Sequence, residues 1–226
     1  MVKKMKMTTP LSWLAAILVP LALIGLGLRV VLIPIFLQVE YRMPYLPPDN
    51  YGFTTQDRLH WSQYAWDYLL NDADISYLGD LKFDDGTPLY NERELSHMAD
   101  VKRVITGSLK IWYVSLGLLA ALGVWAWFGN WQREYRLGLS RGGWLMVGLA
   151  AAIGFIVVIG IVINPNIFWN FFAVFHSLFF TGDSWLFLYS DTLIRLFPLR
   201  FWMDAFLFGA IIALGGGIAL GLIFKK

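Results

Sequence analysis

The chain alternates between long apolar runs and polar stretches. Four runs reach the length of about 20 residues needed to cross a bilayer: Leu11–Leu37, Leu109–Phe128, Gly143–Ile163 and Asp204–Phe224. The first follows Lys3, Lys4 and Lys6, as a secretory signal would. At 27 residues, with no small-residue cleavage pattern after Leu37, it reads instead as an uncleaved anchor. The pattern predicts an all-α membrane protein, a four-transmembrane-helix bundle topped by a small extracellular α+β cap. The segments are a tail and first span at 1–37, the cap at 38–108, the second span at 109–128, a cytoplasmic loop at 129–142, the third span at 143–163, a second extracellular interfacial segment at 164–203, and the fourth span with its tail at 204–226.

The cap is expected to fold rather than to link. Thr54-Thr55-Gln56-Asp57 opens a helix to about Leu70, with Leu59, Trp66 and Leu69–Leu70 at helical spacing. Leu81–Asp84 and Thr87–Tyr90 flank Asp85-Gly86, which predicts a hairpin with a two-residue turn, and Pro88 makes its second arm an edge. Twelve acidic residues between Gln38 and Ser108 make the cap's surface water-facing. In the second outer segment, Asn164-Pro165-Asn166 breaks the third span. A helix over Ile167–Phe180 then aligns Trp169, Phe172, Ala173, His176, Phe179 and Phe180. It is too short to span, which places it in the interface or back against the bundle. Gly209, Ala213, Gly217 and Gly221 recur every fourth residue of the last run, the spacing of close helix packing.

Orientation follows the basic residues. Three N-terminal lysines, then Arg133, Arg136 and Arg141 in the short link, and Lys225 and Lys226 at the end put those segments in the cytoplasm. Lys102, Arg103 and Lys110 run mildly against the rule.

Composition narrows the chemistry. With 58% hydrophobic and 15% charged residues, the chain belongs to the integral-membrane class. A net charge of +2 does not argue for nucleic acid, and the absence of cysteine excludes thiol nucleophiles, thiolate metal sites and disulfides. There is no Gly-x-Ser-x-Gly elbow, no His-Glu-x-x-His zinc helix and no phosphate-cradling glycine loop. Nothing has metal-ligand spacing, so no metal site or cofactor is assigned. Span centres are almost free of polar residues, which argues against an ion or substrate pathway.

Candidate chemistry gathers around the histidines, of which there are three. In Asn91–Lys102, Asn91 and Glu94 have capping-box spacing, and Glu94, His97 and Asp100 share one helical face just before an apolar run. Asp100 or Glu94 is expected to orient His97. His176 lies among phenylalanines at the same expected depth, and imidazole is the side chain best matched to proton transfer near neutral pH. His60, in line with Gln63 and Asp67, reads as a solvated face. Arg29, Trp185, Asp191 and Arg195 are candidate substrate contacts. Arg29 sits near the outer edge of the first span, where it snorkels or meets an anionic partner. Asp191 and Arg195 have i,i+4 spacing, which suits a helix-surface pair.

Several stretches together carry a resemblance: Tyr51-Gly-Phe-Thr, the run from Asp85 through Lys102, Phe175-His-Ser-Leu-Phe-Phe and Asp191-Thr-Leu-Ile-Arg-Leu-Phe-Pro. In this order they are similar to the four-span membrane proteins of the lipoprotein intramolecular transacylase (Lit) family, over essentially the whole chain. The resemblance implies a bacterial plasma-membrane enzyme of lipoprotein maturation, and with the orientation read from the basic residues both termini are expected in the cytoplasm and the active site at the outer face. It implies movement of the sn-2 acyl chain of a diacylglyceryl-cysteine lipoprotein onto that cysteine's α-amino group. The partners implied are that lipoprotein and membrane lipids, and the family's two histidines map to His97 and His176. The competing readings are a non-catalytic membrane scaffold that binds a partner and a zinc-dependent membrane hydrolase.

Overall fold

The computed structural model describes residues 8–164 and 166–225, so Lys3, Lys4, Lys6, Pro165 and Lys226 lie outside the described residues. The described chain is helical: α1 (Thr8–Val31), α2 (Pro34–Glu40), α3 (Thr55–Leu70), α4 (Ser76–Gly79), α5 (Glu92–Phe128), α6 (Gln132–Ile163), α7 (Ile167–Phe179), α8 (Thr192–Leu196) and α9 (Leu199–Ile223). Four of these helices, α1, α5, α6 and α9, are long and apolar enough to cross a membrane. The first apolar run is divided. α1 ends at Val31 and α2 starts at Pro34, whose missing N–H and fixed φ suit the first position of a new helix. α5 has 37 residues, about 55 Å, against a hydrocarbon core of about 30 Å. Its apolar portion, Leu109–Phe128, is by itself about 20 residues long, and the preceding turns carry Asp100, Lys102 and Arg103.

The expected α+β cap is corrected to an all-helical one. Among the described residues there is no strand, only an isolated bridge between Lys82 and Pro88. The turn between its arms also differs from the two-residue form. Phe83 N donates to Thr87 O and Gly86 N to Phe83 O, and of the turn residues only Gly86 has positive φ, at 84°. That is a three-residue connection closed by a left-handed glycine. Each arm is short, and Pro88 has no N–H for the ladder, so pairing stops before a strand forms.

The chain divides into two compact units. The first comprises, of the described residues, 8–30, 108–159 and 207–225. Ala15, Leu18, Leu122, Ala126 and Trp131 form one buried cluster there, and Val19, Leu23, Met146 and Ala213 another. The small-residue stripe of α9 packs as its spacing predicts: a Cβ on Gly143 would lie 2.5 Å from Gly217 O, and one on Gly217 2.9 Å from Gly143 O. Side-chain donors reach neighbouring carbonyls, with Ser12 Oγ donating to Glu134 O (2.7 Å), Trp112 Nε1 to Ala22 O (3.0 Å) and Ser140 Oγ to Gly221 O (3.0 Å).

The second unit comprises residues 31–107 and 160–206. Its centre is aromatic. Phe201 is fully buried, with Phe36, Tyr41, Trp66 and Phe197 at ring-centroid distances of 5.2–5.8 Å. α3 begins at the expected place, because Thr54 and Asp57 form a reciprocal capping box. Tyr41 Oη donates to Leu196 O (2.7 Å) and Thr192 Oγ1 to Leu89 O (2.5 Å), tying α8 to the rest of the unit.

Candidate active site

The second unit brings two imidazoles together. His97 lies in the second turn of α5, and His176 in the last turn of α7. Seventy-nine residues apart in sequence, the rings stack at 22° with centroids 6.1 Å apart. Both are buried, at 7% and 9% exposure. Their surroundings are aromatic. Phe180 and Phe187 meet the His97 ring edge-on at 4.7 and 5.3 Å. Phe172 lies 3.9 Å and Trp185 4.9 Å from His176. α7 is anchored by Phe168, Phe171 and Phe175 against Phe206.

Hydrogen bonding gives the two rings different character. His176 Nδ1 lies 2.8 Å from Phe172 O. A carbonyl only accepts, so Nδ1 carries the proton and Nε2 the lone pair. Nδ1 of His97 is buried with no hydrogen-bond partner among the described residues. Burial disfavours the imidazolium, and His176 adds to this at His97, whose pKa falls from 6.5 to about 4 although Asp100 opposes the shift. Burial also lowers the pKa of His176, against the opposing pull of the Phe172 carbonyl. Both rings are therefore neutral at neutral pH.

Glu94 and Asp100 share the helical face with His97 but bond elsewhere. Glu94, 1% exposed, completes the capping box: Asn91 N donates to Oε2 (2.8 Å), and Glu94 N to Asn91 Oδ1 (3.1 Å). Its Oε1 accepts from Leu193 N (2.6 Å) in the first turn of α8. Both carboxylate oxygens thus serve backbone donors and join two helix starts beneath His97. Burial raises the Glu94 pKa, and the donors at Asn91 and Leu193 partly oppose it. Asp100 pairs with Arg103.

The model of the lipoprotein intramolecular transacylase Lit family matches residues 13–202 of this chain. The chain belongs to the Lit family. It is an integral membrane protein and an enzyme of the transacylase kind. It is 28% identical to an uncharacterised protein of Aquifex aeolicus over 226 aligned residues, covering 96% of this chain and 95% of that one. The membrane-integral Lit of Bacillus cereus has the same fold, with a TM-score of 0.71 at 20% identity over 97% of this chain and 94% of that one. A variant of that protein with a histidine replaced by alanine aligns with a TM-score of 0.59 at 17% identity, over 97% and 92% of the two chains.

The remaining candidates of this Lit-family chain separate. Trp185 packs on His176, as above. Asp191 caps neither histidine: its Oδ2 accepts from Leu188 N (2.8 Å) and its Oδ1 from Asn91 Nδ2 (3.2 Å). The i,i+4 pairing with Arg195 does not form. Arg195 turns to Asp49 (Nη2 to Oδ2, 3.0 Å), whose side chain is 3% exposed, and stacks over Phe53 at 3.7 Å. Arg29 belongs to the first unit, half-buried and with no polar partner among the described residues. His60 is exposed and its ring meets Trp61 and Tyr64. Sequence reasoning placed two ring neighbours of His176 on its stripe and missed Phe187. Phe172 and Phe180 stand four residues either side of His176, a spacing that marks them as ring neighbours. Phe187 lies in the irregular segment between α7 and α8 and carries no such signal.

Proposed function

We propose that this enzyme transfers the sn-2 acyl chain of a diacylglyceryl-cysteine lipoprotein to the α-amino group of that cysteine, with His97 and His176 moving the protons. The observation that carries the reading is the pair of neutral imidazoles stacked in an aromatic cage, one with an unpartnered buried nitrogen. His176 presents its Nε2 lone pair, and a neutral imidazole in a dry site is a competent base for the attacking amine. His97, whose Nδ1 has no hydrogen-bond partner among the described residues, stabilises the developing oxyanion by hydrogen bond, and the proton that His176 takes from the amine passes to the departing glycerol oxygen as the ester bond breaks, so both rings end neutral. Donor and acceptor belong to one substrate, so proximity comes with the molecule and no acyl-enzyme is needed. The aromatic lining suits a lipid ester, with Trp185 and Phe187, both half-buried, as the faces it meets. Both termini lie in the cytoplasm and the histidines at the outer face, a topology supported by the arginines at 133, 136 and 141.

Among the described residues no three potential ligands group for a metal ion, so the hydrolase reading has no geometric support. Mass spectrometry of a reporter lipoprotein's N-terminal peptide tests the proposal. Cells or proteoliposomes with the wild-type enzyme are expected to show N-acylated cysteine bearing a lysoglyceryl group. An N-terminus that stays diacylated and free would refute it.

A further inference from the structure

The second unit also holds an open cleft of about 550 Å³ that the two imidazoles do not line. Its walls come from four places: the loop at Tyr51–Phe53, the first turns of α3 at Asp57, His60 and Trp61, the turn at Phe83–Asp84, and Arg195 of α8. The loop is held in place, because Asp49 Oδ2 accepts from Phe53 N (2.7 Å) and Tyr51 N (3.1 Å) while pairing with Arg195. That pairing neutralises the cleft's only guanidinium, and Phe53 covers its face. The formal charges left in the lining are carboxylates, with the His60 imidazole next to Asp57. Asp57 is turned toward the Thr54 cap, whereas Asp84 is exposed and has no partner among the described residues. Aromatic rings stand beside them, Trp61 and Phe53 each about 6 Å from Phe83, with Tyr51 half-exposed at the rim. Carboxylates beside ring faces favour an ammonium or guanidinium group. The surrounding segment agrees: residues 38–108 contain twelve acidic and six basic side chains.

We propose that this cleft receives the polypeptide that follows the lipidated cysteine and favours one carrying lysine or arginine. The inference rests on the acyl-transfer reading. A lipoprotein substrate has two unlike ends, and its peptide cannot enter a cage of phenylalanines without losing the hydration of its amides. It needs a polar, water-open surface, and this cleft falls in the size range of ligand sites.

The test uses two synthetic diacylglyceryl-cysteinyl peptides with identical lipids, one with two lysines soon after the cysteine and one with two glutamates. Binding is measured to the His97→Ala protein in phosphatidylcholine nanodiscs, and turnover by the wild type is followed by mass spectrometry. The basic peptide is expected to bind roughly fivefold more tightly at low salt, with the ratio shrinking as salt rises. Adding Asp84→Asn is expected to bring the ratio close to one, whereas Asp72→Asn, outside the cleft, leaves it in place. Equal binding of the two peptides, or a preference that survives Asp84→Asn, would overturn the cleft assignment even if turnover is intact. Preference that follows Asp84 without any turnover would instead overturn the acyl-transfer reading and leave the cleft a cationic-peptide site.

Discussion

The two units solve burial in opposite ways. In the first, backbones approach until Gly143 and Gly217 leave no room for a methyl group, and side chains such as Ser140 cap neighbouring carbonyls. In the second, large rings fill the interior, and the titratable groups Glu94, His97 and His176 are buried there. Close packing of small residues gives a tight contact but no space in which a group can act. Aromatic packing leaves side chains of mixed character inside a low-dielectric shell, where pKa values move and unpaired nitrogens persist.

The largest expected effect falls on the second unit. Glu94→Ala leaves the buried Leu193 N–H without a partner, at about 1–3 kcal/mol, and frees the part-buried Asn91 N–H at a smaller cost. A marked fall in detergent-solubilised Tm is expected, with Glu94→Gln losing about half as much. Equal stability of the alanine variant would show that Glu94 does not join the two helix starts. Next in size is Gly143→Ala in the first unit, where the new Cβ meets Gly217 O and overpacking costs about 1–3 kcal/mol. Thermal unfolding should register the loss with the catalytic rate per folded molecule unchanged. The smallest effect is in pH. His97 is neutral when folded down to about pH 4 but titrates near 6.5 when unfolded. The unfolded state therefore binds more protons between those values, and stability should rise as pH increases through that window and level off above it. Transfer, corrected for protonation of the substrate amine, should stay flat while the folded rings are neutral and fall only as pH approaches about 4, where His97 takes a proton. A rate that climbs below pH 6 would mean that an imidazolium is the working form.

Much of this comparison is legible in the chain. Hydropathy length gives the four long helices, the four-residue spacing of Gly209, Ala213, Gly217 and Gly221 gives the tight contact, and Thr54 with Asp57 and Asn91 with Glu94 give two helix starts. Local spacing misled where tertiary partners compete. Asp191 and Arg195 look paired, yet Arg195 finds Asp49, 146 residues away, and the bond anchors a loop. Glu94 and Asp100 look like supports for His97, yet backbone donors and Arg103 occupy them. The hairpin failed as a strand because a turn signal specifies reversal only, whereas a strand needs donors along both arms. Stacking of His97 on His176 has no sequence signature beyond the resemblance.

The central claim is that those two imidazoles act as one unit. The direct measurement is a double-mutant cycle on acyl transfer, using His97→Ala, His176→Asn and the combination in reconstituted membranes, with folding checked by Tm. Each single change should lower the rate by about 10²–10⁴-fold, and the double variant should be no slower than the worse single one. Losses that multiply, or a single variant that keeps most of its rate, would contradict the account.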